Sequence, residues 1–253
     1  MDAVILAGGL GSRLQPVTLE IPKPLIPVQG KPLTDHLYDV LYRAGVTQVI
    51  LSLGYGHDPM VNRYVPETKG EFKGKKYSIP TDWVRDEMNG TAAWIKMMNL
   101  KGITTSDPFL VVNGDNLCSV DFCAVVEAHK KNKAEITIVL RELDDVSAFG
   151  VADMDGQRIK HFVEKPAKGE EPSHLISTGY YVFSPSVLEN YTHLFPEGDD
   201  PEVLAKMKVM LEHHVFPAVA QTGGLYGYSC DDPWYDTGTF ERWETVINEW
   251  KLP

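Results

Sequence analysis

Short apolar runs and helically spaced apolar residues alternate along the first half of this chain. Asp2–Ala7, residues 46–53 and residues 109–112 are largely apolar runs, a pattern typical of buried strands. Between the first two, apolar residues recur at helical spacing from residue 33 to residue 44, and Gly45 supplies a stop signal for that helix. Strands that alternate with helices in this way predict a parallel sheet with right-handed crossovers.

The second half changes in character, because its strands follow one another more closely. Asp155-Gly156 separates the stretches 149–153 and 158–163, and this dipeptide predicts a hairpin. The predicted fold class is α/β, a Rossmann-like three-layer sandwich with a mixed, mainly parallel central sheet and antiparallel hairpins in the second half. No linker or repeat interrupts residues 1–253, which predicts a single domain. In open sheets of this kind, ligands bind beyond the carboxyl ends of the strands.

The other predicted elements rest on local signals. Residues 10–31 contain four prolines and predict a long ordered loop without elements of its own, which is uncommon unless the loop has a function. Asp58 before Pro59 predicts an N-cap, and residues 69–76 predict an exposed loop or hairpin. Further helices are predicted over residues 91–100, 121–131, 201–213 and 240–250, with a short one after Ser184-Pro185, and further strands over residues 77–84, 135–141, 176–183 and 226–229.

The composition excludes several classes of protein. With 35 acidic and 24 basic residues the formal charge is −11, whereas a nucleic-acid binder normally carries the opposite balance or a dense basic stripe. No apolar run reaches about 18 residues, so no membrane-spanning helix is expected. The start of the chain lacks the basic region of a signal peptide, which predicts a cytoplasmic protein. Cys118, Cys123 and Cys230 fit no metal or disulfide spacing and are expected to be free thiols.

A glycine-rich turn follows the first strand. Gly8, Gly9 and Gly11 would let backbone N–H groups approach a nucleotide, and Arg13 stands where it can meet phosphate oxygens. Read alone, such a turn can simply reverse the chain. It lacks the glycine that a dinucleotide-binding fingerprint would place at Leu14, and it lacks the Gly-Lys-Ser/Thr of a Walker-A loop.

The same stretch holds a lysine in an unusual setting. Lys23 lies between Pro22 and Pro24. Pro22 has a fixed φ, and Pro24 disfavours a helical backbone at the residue before it. The sequence therefore predicts a stiff, extended segment that holds one ammonium group at a fixed place.

Taken together, these motifs resemble the signature of the sugar-1-phosphate nucleotidyltransferase family, the sugar-nucleotide pyrophosphorylases. The resemblance is carried by Gly8-Gly9-Leu10-Gly11-Ser12-Arg13-Leu14-Gln15-Pro16-Val17-Thr18, Pro22-Lys23-Pro24-Leu25 and Pro27-Val28-Gln29-Gly30-Lys31-Pro32. Later family segments follow in order, so the likeness covers nearly the whole chain. It implies an enzyme that joins a nucleoside triphosphate and a hexose 1-phosphate into an NDP-sugar, using Mg²⁺ and releasing pyrophosphate. It also implies a nucleotide-binding half at residues 1–115 and a sugar-phosphate-binding half at residues 116–253.

The resemblance assigns roles to individual residues. The nucleotide-binding set is Leu6, Ala7, Gly8, Gly9, Gly11, Arg13, Gly90 and Thr91, and the catalytic pair is Arg13 and Lys23. The sugar-phosphate-binding set is Gly150, Glu164, Lys165, Thr178 and Gly179. Ser177, which precedes the last two, departs from the family spelling.

Two aspartates complete the implied site. Asp115 follows an apolar strand in Asn113-Gly114-Asp115-Asn116, and Asp236 lies in Trp234-Tyr235-Asp236-Thr237-Gly238-Thr239. Without the family, either residue reads as an ordinary turn or cap residue. By resemblance, both are ligands of Mg²⁺, which commonly takes one or two carboxylates and completes its shell with phosphate oxygens and water.

Two other interpretations stay open at this point. One is a nucleotidyltransferase of the same fold that acts on a non-sugar phosphate, and the other is a non-catalytic subunit that binds a nucleotide sugar. The base and the hexose also stay open, because residues 82–89, where the base is expected to be read, have no interpretable spelling. The expected partners are the two substrates, without nucleic acid or membrane, and dimers or tetramers are compatible with the sequence.

Overall fold

The structure, a computed structural model, describes residues 1–54, 56–86, 90–204 and 206–252. Its strands are β1 (Asp2–Ala7), β2 (Pro27–Val28), β3 (Lys31–Pro32), β4 (Gln48–Leu53), β5 (Glu67–Phe72), β6 (Lys75–Arg85), β7 (Phe109–Asn113), β8 (Asn116–Cys118), β9 (Ile136–Glu142), β10 (Gly150–Asp155), β11 (Arg158–Glu164), β12 (Leu175–Phe183), β13 (Leu225–Ser229) and β14 (Trp234–Asp236). Its α-helices are α1 (Val17–Glu20), α2 (Leu33–Arg43), α3 (Asp58–Tyr64), α4 (Ala93–Lys101), α5 (Phe122–Asn132), α6 (Ser186–Asn190), α7 (Pro201–Leu204), α8 (Phe216–Thr222) and α9 (Phe240–Glu249). Single 3₁₀ turns lie at Ser12–Leu14, Lys23–Leu25 and Thr192–Leu194, and a π-helical turn spans Leu211–Val215.

The chain divides into two compact units, and each unit combines segments that are not consecutive in the sequence. The first unit comprises Met1–Met88, Val112–Val120 and Asp232–Pro253, and the second comprises Asn89–Val111 and Asp121–Asp231. Two short segments from later in the chain therefore join the N-terminal part. They are the segments that carry Asp115 and Asp236.

The first unit is built on parallel strands with an antiparallel edge. β1 pairs in parallel with β4, β4 pairs in parallel with β6, and β5 pairs with β6 as an antiparallel hairpin. The residues of β1 and β4 are almost all buried, which accounts for their apolar runs. β8 and β14 form a separate antiparallel ladder. The carboxyl end of β1 leads directly into the glycine-rich turn.

The second unit is largely antiparallel. β9 pairs antiparallel with β12 and parallel with β13, while β10 and β11 form the hairpin predicted around Asp155-Gly156. An aromatic cluster fills its core, where the Trp94 and Phe183 ring centroids lie 5.8 Å apart and both rings contact Phe109. Burying each such side chain stabilises a fold by about 1.5–3 kcal/mol. The predicted α/β class with mixed strand directions is confirmed.

Three local predictions were wrong. Residues 10–31 are not a loop without elements, because they contain two 3₁₀ turns, α1, β2 and most of a short ladder with β3. Asp58 is the first residue of α3 and caps nothing through its side chain, since His57 is the N-cap. The single helix over residues 201–213 is also wrong. α7 ends at Leu204, and Met210 has the extended φ of −112° and ψ of 144°.

The error over residues 201–213 has a tertiary cause. The Val209 carbonyl accepts a hydrogen bond from the Ala92 N–H over 3.0 Å. The Leu211 N–H donates to the Thr91 hydroxyl over 2.9 Å. Backbone groups that a continuous helix would use are bonded elsewhere, so these long-range bonds override helical periodicity.

No disulfide bond involves Cys118, Cys123 or Cys230 within the residues that the structure describes. Within the residues that the structure describes, no helix combines the length and apolar character that are needed to cross a bilayer. Residues 87–89, part of the stretch predicted to read the base, lie outside the described residues.

Candidate active site

The turn after β1 places its first glycine against a buried carboxylate. A Cβ atom at Gly8 would lie 2.3 Å from Oδ2 of Asp86, so a side chain there would force the Asp86 carboxylate to move. Asp86 follows β6 and is 6% exposed, and the Ser52 hydroxyl donates to its Oδ2 over 2.8 Å. Gly9 differs, since no atom lies within 4 Å of the Cβ position built on it. Gly8 therefore packs closely against the Asp86 carboxylate, whereas Gly9 leaves open space beside the backbone.

The third glycine of the turn packs against the lysine. Gly11 has a φ of 62°, in the left-handed region that favours glycine. Its Cβ position lies 3.1 Å from Cβ of Lys23, and its carbonyl accepts a hydrogen bond from the Thr18 hydroxyl over 2.9 Å. The turn and Thr18 together fix the start of the lysine side chain.

Lys23 lies on a helical turn rather than on the predicted extended segment. The Leu25 N–H donates to the Pro22 carbonyl over 2.8 Å, which closes a 3₁₀ turn over Lys23–Leu25. This local bonding overrides the preference that Pro24 imposes on the residue before it. Lys23 is 8% exposed, and its Nζ donates to Oδ2 of Asp115 over 2.6 Å.

Asp115 is held by backbone contacts on both sides. The preceding Gly114 N–H donates to the Leu6 carbonyl over 2.8 Å, and a Cβ at Gly114 would lie 2.8 Å from that oxygen. The Thr237 N–H and hydroxyl both donate to the Asp115 carbonyl, over 3.1 and 2.7 Å. Asp115 is thereby tied to the end of β1 and to the segment after β14. Its side chain is 43% exposed, and its Oδ1 atom accepts no hydrogen bond within the described residues.

Asp236 ends β14, directly across the ladder from Asn116 of β8. Its Oδ1 accepts a short hydrogen bond from the Gly238 N–H, and its Oδ2 forms an ion pair with Arg242 on the first turn of α9. The side chain of Asp236 is 13% exposed. Both oxygens of this carboxylate therefore already have donors from the chain itself.

Arg13 brings an unpaired cation to the same segment. It lies on the 3₁₀ turn after Gly11 and is exposed. Its Nη2 atom is 3.3 Å from the Cβ position of Gly238, beside Asp236. Within the described ranges the Arg13 guanidinium forms no ion pair or hydrogen bond. An exposed, unpaired guanidinium is suited to a phosphate group.

The predicted sugar-phosphate residues lie in the second unit. Glu164 ends β11 opposite Gly150, and a Cβ at Gly150 would lie 2.8 Å from its Oε2 atom. Lys165 has a φ of 49°, which is uncommon for a residue with a side chain, and its N–H donates to the Phe149 carbonyl over 3.0 Å. Its Nζ donates to Oε1 of Glu164 over 2.7 Å. The structure thus brings Gly150, Glu164 and Lys165 together.

Thr178, Gly179 and Thr91, also predicted to bind substrates, make contacts within the second unit. Thr178 is 1% exposed and donates its hydroxyl to the Val139 carbonyl over 2.8 Å. Gly179 has a φ of 80° at an irregularity in the pairing of β12 with β9. The Thr91 hydroxyl is bonded to Glu212 over 2.6 Å. The hydroxyls of Thr91 and Thr178 therefore serve contacts inside the second unit.

A family model described as nucleotidyl transferase matches residues 2–250. The chain belongs to the nucleotidyl transferase family.

Several individual nucleotidyl transferases resemble the chain. It is 34% identical over 240 residues, 94% of its length, to mannose-1-phosphate guanyltransferase beta-A of Xenopus laevis. It is also 34% identical over 246 residues to mannose-1-phosphate guanylyltransferase of Mycobacterium tuberculosis. The chain spans 61% and 62% of the length of these two curated relatives.

Solved structures of the family are similar over their whole length. HddC from Yersinia pseudotuberculosis superposes with a TM-score of 0.75 at 28% identity, covering 99% of both chains. A glucose-1-phosphate thymidylyltransferase from Bacillus anthracis gives a TM-score of 0.80 at 25% identity, covering 100% of this chain and 97% of the other.

Asp115 and Asp236 fit a metal ion that receives most of its ligands from phosphates and water. Among the described residues, no group of three or more His, Cys, Asp or Glu side chains could hold a metal ion. Asp115 offers an oxygen, Oδ1, that accepts no hydrogen bond within the described residues. Both oxygens of Asp236 already accept from Gly238 or Arg242, so only their remaining lone pairs can bind a metal. Two carboxylates suffice for Mg²⁺ when phosphates and water supply the remaining ligands.

The sequence did not single out three residues that contact members of the predicted site. Arg242 pairs with Asp236, Asp86 lies against Gly8, and Glu212 accepts from Thr91. None of these three residues lies in a sequence motif whose residue types and spacing predict a function. Thr237, by contrast, lies inside a quoted motif, but only the structure indicates that it holds the Asp115 carbonyl.

Proposed function

We propose that this chain transfers a nucleotidyl group from a nucleoside triphosphate to a hexose 1-phosphate and releases pyrophosphate. The observation that supports the proposal most is the direct pairing of Lys23 with Asp115 beneath the glycine-rich turn of a nucleotidyl transferase. A sugar phosphate oxygen attacks the α-phosphorus in line, so the protein needs no nucleophile of its own. Because both substrates are polyanions, its residues act by neutralising charge and aligning the reactants.

Three cations would share this charge neutralisation. Arg13 has no carboxylate partner within the described residues, so its full charge is available to the triphosphate. Lys23 is buried and held at one place, and its ammonium stabilises the charge that builds up at the α-phosphorus. Lys165 binds the phosphate of the hexose 1-phosphate, and Glu164 accepts hydrogen bonds from the sugar hydroxyls.

We assign Mg²⁺ to Asp115 and Asp236. When bound, the ion supplies Lewis-acid stabilisation of phosphate charge. The chain holds these carboxylates through the two Thr237 bonds to the Asp115 carbonyl and through Arg242 on Asp236. Their orientation is thereby set before substrate arrives.

We propose guanine as the base and mannose as the hexose. The support is that the similar curated relatives are named mannose-1-phosphate guanylyltransferases. The buried carboxylate of Asp86 agrees with guanine, because the Watson–Crick edge of guanine presents a ring N–H next to the N2 amino group, both donors. Thymine and uracil present a single donor between two carbonyl acceptors on the same edge.

Pyrophosphate release, measured with five nucleoside triphosphates against a panel of hexose 1-phosphates, tests the proposal. The expected result is the highest kcat/KM for GTP with mannose 1-phosphate, lost on chelation of divalent ions and restored by Mg²⁺. Release with polyol phosphates in place of hexose 1-phosphates would indicate the alternative acceptor class. No release with any pair would indicate a non-catalytic subunit that only binds nucleotide sugar.

A further inference from the structure

The segment Gly90-Thr91-Ala92 is bonded to a distant stretch of the second unit. The Ala92 N–H donates to the Val209 carbonyl over 3.0 Å, and the Leu211 N–H donates to the Thr91 hydroxyl over 2.9 Å. The same hydroxyl donates to Oε2 of Glu212 over 2.6 Å. Thr91 therefore uses its hydroxyl both as donor and as acceptor inside the fold.

Gly90 allows this close approach. Its φ is 102°, a conformation that side chains rarely adopt, and a Cβ there would lie 2.3 Å from the Val209 carbonyl oxygen. The glycine and the threonine of this motif are thus both explained by contact with residues 209–212. Neither feature requires a nucleotide base beside the motif.

Glu212 lies in an unusual turn that packs against the end of β11. The turn Leu211–Val215 is π-helical, a rare geometry that occurs frequently at functional sites. Phe162 of β11 meets Phe216, the residue after this turn, edge to face with centroids 5.2 Å apart. Phe162 lies two residues before Glu164, so this packing holds the chain after the turn against the last part of β11.

The electrostatics of Glu212 agree with that placement. Burial raises the pKa of the Glu212 carboxyl, and the nearby Glu164 carboxylate raises it further, while the Thr91 hydroxyl and His213 oppose the shift. Lys165 binds Glu164 over 2.7 Å. Two carboxylates of like charge therefore lie near each other, and one of them, Glu164, is paired with the Lys165 ammonium. Such an arrangement opposes folding and is typical of ligand sites.

We propose that Glu212 is a second acceptor for the hydroxyls of the hexose, beside Glu164, and that Gly90-Thr91-Ala92 serves the sugar site by fixing Glu212. The inference rests on the proposed function and adds a residue to its sugar subsite. A hexose ring presents neighbouring hydroxyl donors, and two carboxylates can accept from different ones. Hydrogen bonds to charged groups contribute about 1.5–3 kcal/mol, which corresponds to roughly 10- to 100-fold in affinity.

The test is Glu212→Gln, which keeps the size of the side chain and removes its charge. The expected result is a rise of about 10-fold or more in KM for mannose 1-phosphate, with KM for GTP changed less than about threefold. Glu135→Gln is the matched control, because Glu135 also accepts from a threonine hydroxyl, Thr222, over 3.1 Å. The control is expected to leave both KM values unchanged.

Thermal unfolding separates this role from a structural one. Burial raises the pKa of Glu212, so glutamine replaces a group whose ionisation opposes folding. The melting temperature of Glu212→Gln should equal or exceed that of the parent, whereas a structural role predicts a fall. Thr91→Ser should retain sugar affinity and Thr91→Val should lose it, since only serine keeps the hydroxyl.

Calorimetric titration with mannose 1-phosphate gives the same comparison without turnover. If the parent releases pyrophosphate but Glu212→Gln keeps its KM and its calorimetric affinity, the inference is wrong while the proposed function stands. If the parent releases no pyrophosphate, the proposed function fails, and the titration alone decides whether Glu212 binds the sugar. If Glu212→Gln weakened the affinity for GTP as much as the affinity for mannose 1-phosphate, the inference would also be wrong.

Discussion

Nζ of Lys23 donates a hydrogen bond to Oδ2 of Asp115 over 2.6 Å, which joins the 3₁₀ turn at Lys23–Leu25 to the loop after β7. The lysine is almost fully buried, while the aspartate side chain remains 43% exposed. The cation assigned to the reacting phosphate and a carboxylate assigned to the metal are thus direct partners. Substitution of either residue should consequently remove the hydrogen bond that holds the side chain of the other in place.

Lys23→Ala should lower kcat by about 100- to 1000-fold with smaller changes in KM, because a preorganised donor acts mainly in the transition state. Lys23→Arg should not fully restore the rate, since a planar guanidinium cannot replace a compact ammonium. Lys31→Ala, which removes the partner of Asp39 in the same unit, is the control. Steady-state kinetics decide the matter, and a kcat within about threefold of the parent would exclude a catalytic role.

Asp115→Asn and Asp236→Asn should each remove most metal-dependent turnover, on the order of 100-fold or more, while the fold persists. Their binding of Mn²⁺, followed by electron paramagnetic resonance, should weaken in parallel. Asp35→Asn is the control, because Asp35 pairs with Arg63 outside the site. Parent-like Mn²⁺ affinity in either variant would remove that residue from the proposed metal site.

Lys165→Ala should raise KM for the hexose 1-phosphate about 10-fold or more and change KM for the nucleotide less. Part of the effect should pass through Glu164, which loses the ammonium that binds it over 2.7 Å. Lys160→Ala removes a lysine of β11, the strand that precedes Lys165, whose Nζ lies 3.8 Å from Asp153, and should leave both constants unchanged. Equal effects of Lys165→Ala on the two substrates would contradict a sugar-specific role.

Gly8→Ala should destabilise the free protein by about 1–3 kcal/mol, whereas Gly9→Ala should stay within about 0.5 kcal/mol of the parent. A methyl group at Gly8 would lie 2.3 Å from the Asp86 carboxylate, which Ser52 holds, and a methyl group at Gly9 meets nothing within 4 Å. Urea unfolding of both variants measures the difference. Equal stabilities would mean that Asp86 moves aside at little cost.

His129 should make the protein sensitive to acid. Burial lowers the pKa of His129 from 6.5 to about 4, so the unfolded chain binds a proton more readily than the folded one. Its stabilising contribution is complete above pH 6.5 and is lost as the pH falls towards about 4, by up to roughly 3 kcal/mol.

His129→Gln should flatten this part of the pH profile of stability, because glutamine does not titrate. The measured quantity is the difference in unfolding free energy between pH 7.5 and pH 4.5, which cancels the cost of repacking around the Thr137 and Ser184 hydroxyls. The exposed His193, changed to asparagine, is the control. An unaltered slope in His129→Gln would assign the acid sensitivity to other groups.

Local sequence signals were sufficient for many of the elements and for the family. β1 and α2 follow from buried runs and helical spacing, and the Asp155-Gly156 hairpin follows from turn chemistry, because each depends on neighbouring residues. The family signature also depends on spelling alone, so Lys23, Asp115 and Asp236 could be named without coordinates. The helical backbone of Lys23 could not, since bonds from Leu25 and Ile26 outweigh the preference set by the next proline.

Only the tertiary structure decided which of these residues meet. The pairing of Lys23 with Asp115 and that of Thr91 with Glu212 span 92 and 121 positions, and no local pattern encodes such distances. The same holds for the stretch after α7, where Val209 and Leu211 leave helical bonding because their backbone groups bind Ala92 and Thr91. Sequence periodicity records which face of an element is apolar. The partner of a polar group is chosen by the packing of the whole chain, where every buried donor and acceptor must be satisfied.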